Sequence, residues 1–189
     1  MSLTFDSGRH EYRLDGEIIP GISQLLRAAG LLGDVERLPA QAREAGTARH
    51  AWIEADLHGR LNPRKIIPEA VRPWVYAARA ALRDTGARVL GIELLVLNRA
   101  VPYATKLDAL VSWREGTWIW DWKTGGAWPS YPAQLALAAL CLRERPRRAC
   151  IFLNRRGRYR IEEHADPHDY TVAADVIRRW KSLQQEPKP

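Results

Sequence analysis

Apolar and polar residues alternate with period two in several short runs, and they alternate with helical spacing between them. Side chains on a strand point alternately to opposite faces, whereas helix neighbours recur three and four apart. Leu3 to Ile19 reads as a small β-meander, with His10 to Leu14 alternating, a turn at Asp15-Gly16 and a return through Glu17 to Ile19. Ser23 is placed to cap a short helix, Gln24 to Ala29, that stops at Gly30. Pro39 to Leu57 is an Ala-rich helix. Pro68 opens another, running to Thr85 and stopping at Gly86, with Trp74, Ala77, Ala78, Ala81 and Leu82 on its apolar stripe. Val89 to Leu97 is a strand.

The most strongly patterned stretch follows. Leu107 to Trp113 and Thr117 to Trp122 are rich in β-branched and aromatic residues, and Glu115-Gly116 breaks them, which predicts a hairpin. On its second strand Trp118, Trp120 and Trp122 share one face, and Ile119, Asp121 and Lys123 share the other. A Gly-Gly loop leads into an Ala/Leu helix from Tyr131 to Arg143. Ala149 to Asn154 and Tyr159 to Glu163 read as a further hairpin turned at Gly157, and a helix from Tyr170 to Leu183 precedes a polar tail at 184–189. Strands alternating with helices predict an α/β sandwich. The whole of 1–189 reads as one domain, with 1–33 as an N-terminal hairpin and short helix.

Composition narrows the function classes. The 189 residues suffice for a sizeable core. The formal net charge of +7 favours a polyanionic partner, although a basic solvated surface would give the same figure. Cys141 and Cys150 read as small core residues, and two cysteines provide neither a disulfide framework nor a four-cysteine iron–sulfur cluster. No apolar run approaches the roughly 20 residues of a membrane helix. Met1 to Gly8 lacks the basic start and apolar stretch of a signal peptide. A cytoplasmic, intracellular protein without membrane contact is expected.

Asp108, Asp121 and Lys123 carry the candidate chemistry. Two carboxylates near one patch of sheet suit a divalent metal such as Mg2+ or Mn2+, with the backbone carbonyl of Trp122 as a further ligand. Such a metal activates water and polarises a phosphoryl group, and Lys123 would orient that water. A plain Asp121–Lys123 salt bridge is the alternative. His50 and Glu54 are four apart on one helix face, with Gly46 a turn earlier, where close approach of another backbone is expected. His50 reads as a metal ligand or a structural histidine, and Glu54 as hydrogen-bonded to a neighbouring group, a support for His50 or a solvated residue. Glu93, inside an apolar strand, faces the site or pairs with a base. Trp128 either stacks on a base or packs under its loop. Arg143, Arg145, Arg147, Arg148, Arg155, Arg156, Arg158 and Arg160 are candidate phosphate contacts, or else a merely solvated basic hairpin.

The ordered set Gly46-x-x-x-His50-x-x-x-Glu54, Glu93, Tyr103 to Asp108, Asp121-Trp122-Lys123-Thr124-Gly125 and Tyr131-x-x-Gln134 resembles the RecB-type nucleases of the PD-(D/E)XK superfamily, over about half the chain. The N-terminal hairpin and helix are similar to openings of phage-type exonucleases. The resemblance implies a restriction-endonuclease-like core, a mixed central sheet flanked by helices, and a metal-dependent DNA nuclease, an exonuclease of recombination or repair. It implies metal binding by His50, Asp108 and Asp121, a water-assisting Lys123, and Gln134 beside the site with Tyr131. Thr105, Asp121 and Ala138 stand where the family often has Gly, Glu and Tyr. The missing tyrosine bears on how a DNA strand is held. An inactive nucleic-acid-binding module, or a nuclease subunit needing a helicase or annealing protein, is the alternative. The chain has no P-loop, so ATP-driven unwinding would come from such a partner.

Overall fold

The computed structural model describes residues 1–32, 39–61 and 66–185. β1 (Leu3–Asp6), β2 (Glu11–Leu14) and β3 (Glu17–Ile19) form an antiparallel three-stranded sheet. Asp15 and Gly16 have φ of 49° and 92°, the paired positive values of a tight hairpin turn. His10 lies in the turn before β2, at φ 52°, and not on the strand.

α1 (Ile22–Ala28) begins one residue before Ser23. Gly21 is its N-cap, because an isolated bridge to Ala104 holds Gly21 extended and the Oε1 of Gln24 accepts the Gly21 N–H at 2.7 Å. A Cβ on Gly21 would meet the Tyr12 ring at 2.7 Å, so the junction needs glycine.

α2 (Ala40–Leu57) spans the expected segment. α3 (Arg72–Thr85) starts four residues later than Pro68. The Pro68 carbonyl instead closes a preceding turn, accepting the amides of Val71 and Arg72, and Pro73 occupies the first helical turn.

The main sheet follows: β4 (Arg88–Asn98), β5 (Tyr103–Trp113), β6 (Gly116–Lys123), α4 (Tyr131–Ala139), β7 (Arg147–Leu153), β8 (Tyr159–Glu163) and α5 (His168–Gln185). The strands lie in sequential order. All neighbours are antiparallel except β6 and β7, which α4 joins as a crossover. The β5–β6 turn falls on Arg114 and Glu115, at φ 46° and 57°, and Gly116 already pairs with Trp113. That register stacks Trp113 against Trp118 at 4.7 Å. α4 ends at Ala139, short of Arg143. Asn98 donates to the Leu140 carbonyl and Tyr103 to that of Leu137, so side chains from the sheet take carbonyls at the helix end. α5 continues through Gln184 and Gln185, and the rest of the expected polar tail, 186–189, lies outside the described residues.

Two cores flank the sheet. One joins the four tryptophans of the hairpin to Ile53 of α2 and to Val75, Ala77, Ala78 and Ala81 of α3. The other joins Ile119 to α1, α4 and α5 through residues such as Leu25, Leu135 and Val176. A third, smaller cluster packs Tyr12 and Ile19 on Ala104.

Cys150 is buried within the second core, and Cys141 lies just past α4, half-buried against it. Burial pushes the Cys141 thiol up to about 12 and that of Cys150 higher still. Thiolate is the nucleophilic form. Neither thiol is therefore expected to react with a maleimide at pH 7 in the native protein, and both should react in guanidinium chloride. Rapid native labelling by mass spectrometry would show that this end of the core opens.

Candidate active site

The site forms where β5 and β6 part. Their backbone pairing runs from Trp113 and Gly116 down to Ala109 and Trp120, then stops, while β6 remains paired to β7 through Lys123. In the gap Asp108 Oδ2 accepts the Trp122 N–H at 2.8 Å, so a side chain replaces the lost ladder bond. The splay leaves Asp108, Asp121 and Lys123 at one end of the sheet.

Asp108 also marks an inversion in β5. Tyr103 and Leu107 belong to the core under α4 and α5, yet Ala109, Val111 and Trp113 belong to the core under α2 and α3. Strict alternation would put all five on one face. The irregularity extends to β4. Ile92 pairs with Ala109 and Leu94 with Leu107, which leaves Glu93 opposite Asp108 without a ladder pair. Glu93 has φ 53°, a left-handed conformation that costs a non-glycine residue about 1–3 kcal/mol in a strand. Its carboxylate is ion-paired to Lys106, the base-paired alternative expected for it. Burial raises its pKa, and the Asp108 charge adds to that against the opposing effect of Lys106.

His50 arrives from α2 with Nδ1 3.4 Å from Asp108 Oδ2. Burial alone would lower its pKa, but the Asp108 carboxylate, aided by Asp121, outweighs burial and raises it. Burial works on Asp108 in the opposite sense. There His50, Lys123 and the Trp122 N–H prevail, and its pKa is lowered. Asp121 goes the other way: burial and the Asp108 charge raise its pKa against the pull of Lys123. Two neighbouring carboxyls are thus driven apart, one held ionised and the other readier to carry a proton.

Lys123 is ion-paired with Asp121. Burial would lower its pKa, and Asp121 more than reverses that. Its Nζ lies 3.3 Å from Gln134 Oε1 and 3.7 Å from the centre of the Tyr131 ring. Tyr131 and Gln134, one turn apart on α4, therefore gather around the lysine. The Tyr131 hydroxyl donates to the Gly126 carbonyl at 3.2 Å, which ties down the loop. A Cβ at Gly125 or Gly126 would meet nothing within 4 Å, so that loop faces open space, and Trp128 beyond it is half-buried.

Several expected roles change. Of the alternatives for Glu54, the hydrogen bond to a neighbour holds, made with Arg60 and not His50. Gly46 meets no close backbone: an added Cβ would find only the Thr124 hydroxyl, at 3.9 Å. Arg148 is buried and cannot be a surface phosphate contact, and Arg160 is paired with Glu162. Trp122 adds its N–H to the site, with its indole in the opposite core, and this contact does not bear on the metal role expected of its carbonyl. Two contributors had no evident signal in the sequence. Arg49 donates to the Thr124 carbonyl at 3.3 Å and stacks on Trp74 at 3.9 Å, which ties α2 to the loop after β6. Lys106 reads as a routine strand lysine until its pairing with Glu93 is seen.

Among the described residues, no group of three or more His, Cys, Asp and Glu side chains is arranged to hold a metal ion. Mg2+, however, is usually held by one or two carboxylates and keeps several waters. Asp108 and Asp121 match that donor chemistry, and the buried Asp121 Oδ2 receives no hydrogen bond beyond its ion pair. His50, with Nδ1 toward Asp108, stands beside the two carboxylates.

No protein-family profile and no curated protein matches the chain. A crystal structure described only as SSO0001 is similar over 88% of this chain and 88% of its own, at 15% identity and a TM-score of 0.37. No helix among the described residues is long and apolar enough to cross a membrane.

Proposed function

We propose that this chain is a metal-dependent deoxyribonuclease of the RecB type, built on a restriction-endonuclease-like core and acting as an exonuclease in recombination or repair. The observation that carries this reading is the parting of β5 and β6. It leaves Asp108 on the Trp122 N–H beside the Asp121–Lys123 pair, with Gln134 and Tyr131 against the lysine. The five-stranded mixed sheet with helices on its faces is compatible with such a core. The preference for exonuclease over endonuclease comes from the family resemblance.

Each residue then has a task. Asp108 and Asp121 would hold Mg2+ or Mn2+, with His50 beside Asp108. A bound metal supplies Lewis acidity toward a phosphoryl oxygen and makes its water more acidic. Lys123 keeps a fixed positive charge next to the carboxylates, where it can orient the attacking water and offset charge that grows on the phosphate. Gln134 and Tyr131 restrict the lysine to that position. Asp108, through the Trp122 N–H, keeps the two strand ends in register. Gly125 and Gly126 leave room for a nucleic-acid backbone.

End-labelled linear DNA and covalently closed circular DNA, incubated with Mg2+, Mn2+ or EDTA, test the proposal. Linear DNA is expected to be degraded from its ends with either metal and spared in EDTA, and circular DNA to persist. If folded protein leaves both substrates intact with both metals, the nuclease reading fails. Equal loss of the circle would replace exonuclease with endonuclease.

A further inference from the structure

At the opposite end of the sheet from Lys123 lies a second concave site. A cavity of about 450 Å³ opens where β6 and β7 begin, lined by Trp118, Arg145, Arg147, Arg148, His164 and Tyr170 among others. Trp118 and Lys123 are five positions apart on β6, about 17 Å at strand rise. The volume falls within the range of small-molecule sites, about 300–1,000 Å³.

Its charge is positive and only partly compensated. Arg148 is 3% exposed and firmly held, with Nη2 3.1 Å from Asp169 Oδ2 and further contacts to the carbonyls of Pro132 and Asp166. Its guanidinium lies 4.5 Å from the centre of the Tyr170 ring. Arg145 and Arg147 are exposed and have no carboxylate partner among the described residues. Arg145 stands over Tyr170 at 5.4 Å and Arg147 over Trp118 at 5.5 Å. Glu163, which also lines the cavity, is held by Arg114 at 2.6 Å, and the neighbouring Glu162 by Arg160 at 2.5 Å. The side chain of His164 is 9% exposed, and its Nε2 is buried without a hydrogen-bond partner, 3.8 Å from the nearest Glu162 oxygen. Burial lowers the His164 pKa, so the ring is neutral at pH 7 and adds a polar group without a charge.

We propose that this cavity binds a small phosphorylated ligand of mononucleotide size. Two free guanidiniums on a rigid aromatic base, with a third fixed beneath them, match the planar, multidentate demands of a phosphate. Tyr170 and Trp118 provide apolar surface for the rest of the ligand. A volume of about 450 Å³ suits a compact ligand better than a polynucleotide, which is usually tracked along an open groove. The site lies apart from Asp108 and Asp121 and does not depend on the nuclease reading.

Calorimetry in EDTA tests it with the full chain and four probes: dAMP, deoxyadenosine, inorganic phosphate, and a single-stranded oligonucleotide without terminal phosphates. Wild type and Asp108→Asn are expected to bind dAMP alike, with deoxyadenosine weaker by at least about tenfold, or 1.4 kcal/mol. Arg145→Ala/Arg147→Ala should weaken dAMP by a similar factor with an unchanged melting curve. Phosphate should compete with dAMP. Absence of saturable dAMP binding would overturn the proposal, as would equal affinity for deoxyadenosine or a loss confined to Asp108→Asn. Binding of the oligonucleotide but not dAMP, sensitive to the double variant, would also overturn it in favour of a polynucleotide track. Unchanged dAMP affinity in the folded double variant would overturn it as well, and the single variants Arg145→Ala and Arg147→Ala serve the same comparison if the double variant folds poorly.

Discussion

Asp108→Asn is expected to reduce DNA cleavage at least about 100-fold, the scale of losing one preorganised electrostatic partner of a transition state. Asp108 does two things at once. Its charge faces His50 at 3.4 Å, and its Oδ2 accepts the Trp122 N–H at 2.8 Å where the β5–β6 ladder has ended. The amide oxygen of asparagine can still accept that N–H, so the Asn protein should melt close to wild type. Asp108→Ala should lose cleavage to the same extent and also lose stability. It leaves a buried N–H unpaired, which costs about 1–3 kcal/mol. Cleavage rates and thermal melts of the two variants, measured side by side, separate charge from strut. Wild-type cleavage by Asp108→Asn would remove Asp108 from the chemistry, and equal stability of both variants would deny its structural role.

The largest loss of stability is expected from Trp120→Ala, about 3–5 kcal/mol for deleting a buried tryptophan. Trp120 is fully buried in the middle of the sheet and meets Trp113 edge-on at 5.4 Å and Trp122 at 5.8 Å. It holds together the face that α2 and α3 cover, and α2 carries His50. At about 2–4 °C per kcal/mol for a chain of this size, the melting point should fall by roughly 6–20 °C. Trp120→Phe should cost far less, because the indole N–H has no hydrogen-bond partner to lose. Differential scanning calorimetry of the two variants checks both figures. An alanine variant melting within a degree or two of wild type would mean that this core does not carry the sheet.

The aromatic hairpin was legible because its signals were local. Alternation alone assigned the tryptophans to one face of β6 and Ile119, Asp121 and Lys123 to the other, and the two cores follow that division. The helical positions of His50, Tyr131 and Gln134 were legible for the same reason. The inversion in β5 was not, because a period-two reading assumes an unbroken ladder. Glu93 and Asp108 interrupt two strands at the same level, a non-local event that neither strand announces. The start of α3 and the end of α4 were missed for a related reason. Pro68 is compatible with a helix start as well as a turn, and α4 is stopped by Asn98 and Tyr103, residues distant in sequence. Side-chain partners were the least legible. Nothing near Arg49 in the chain points to Thr124, and nothing near Glu54 prefers Arg60 to His50.

The proposed function places metal-dependent phosphodiester cleavage at the Asp121–Lys123 end of β6. Release of acid-soluble nucleotide from linear DNA, with wild type and Asp121→Asn at matched concentration in Mg2+, tests it most directly. Wild type is expected to release nucleotide continuously, and release should fall by at least about 100-fold in Asp121→Asn, with circular dichroism unchanged. Equal release by the two proteins would contradict the assignment of catalysis to this site.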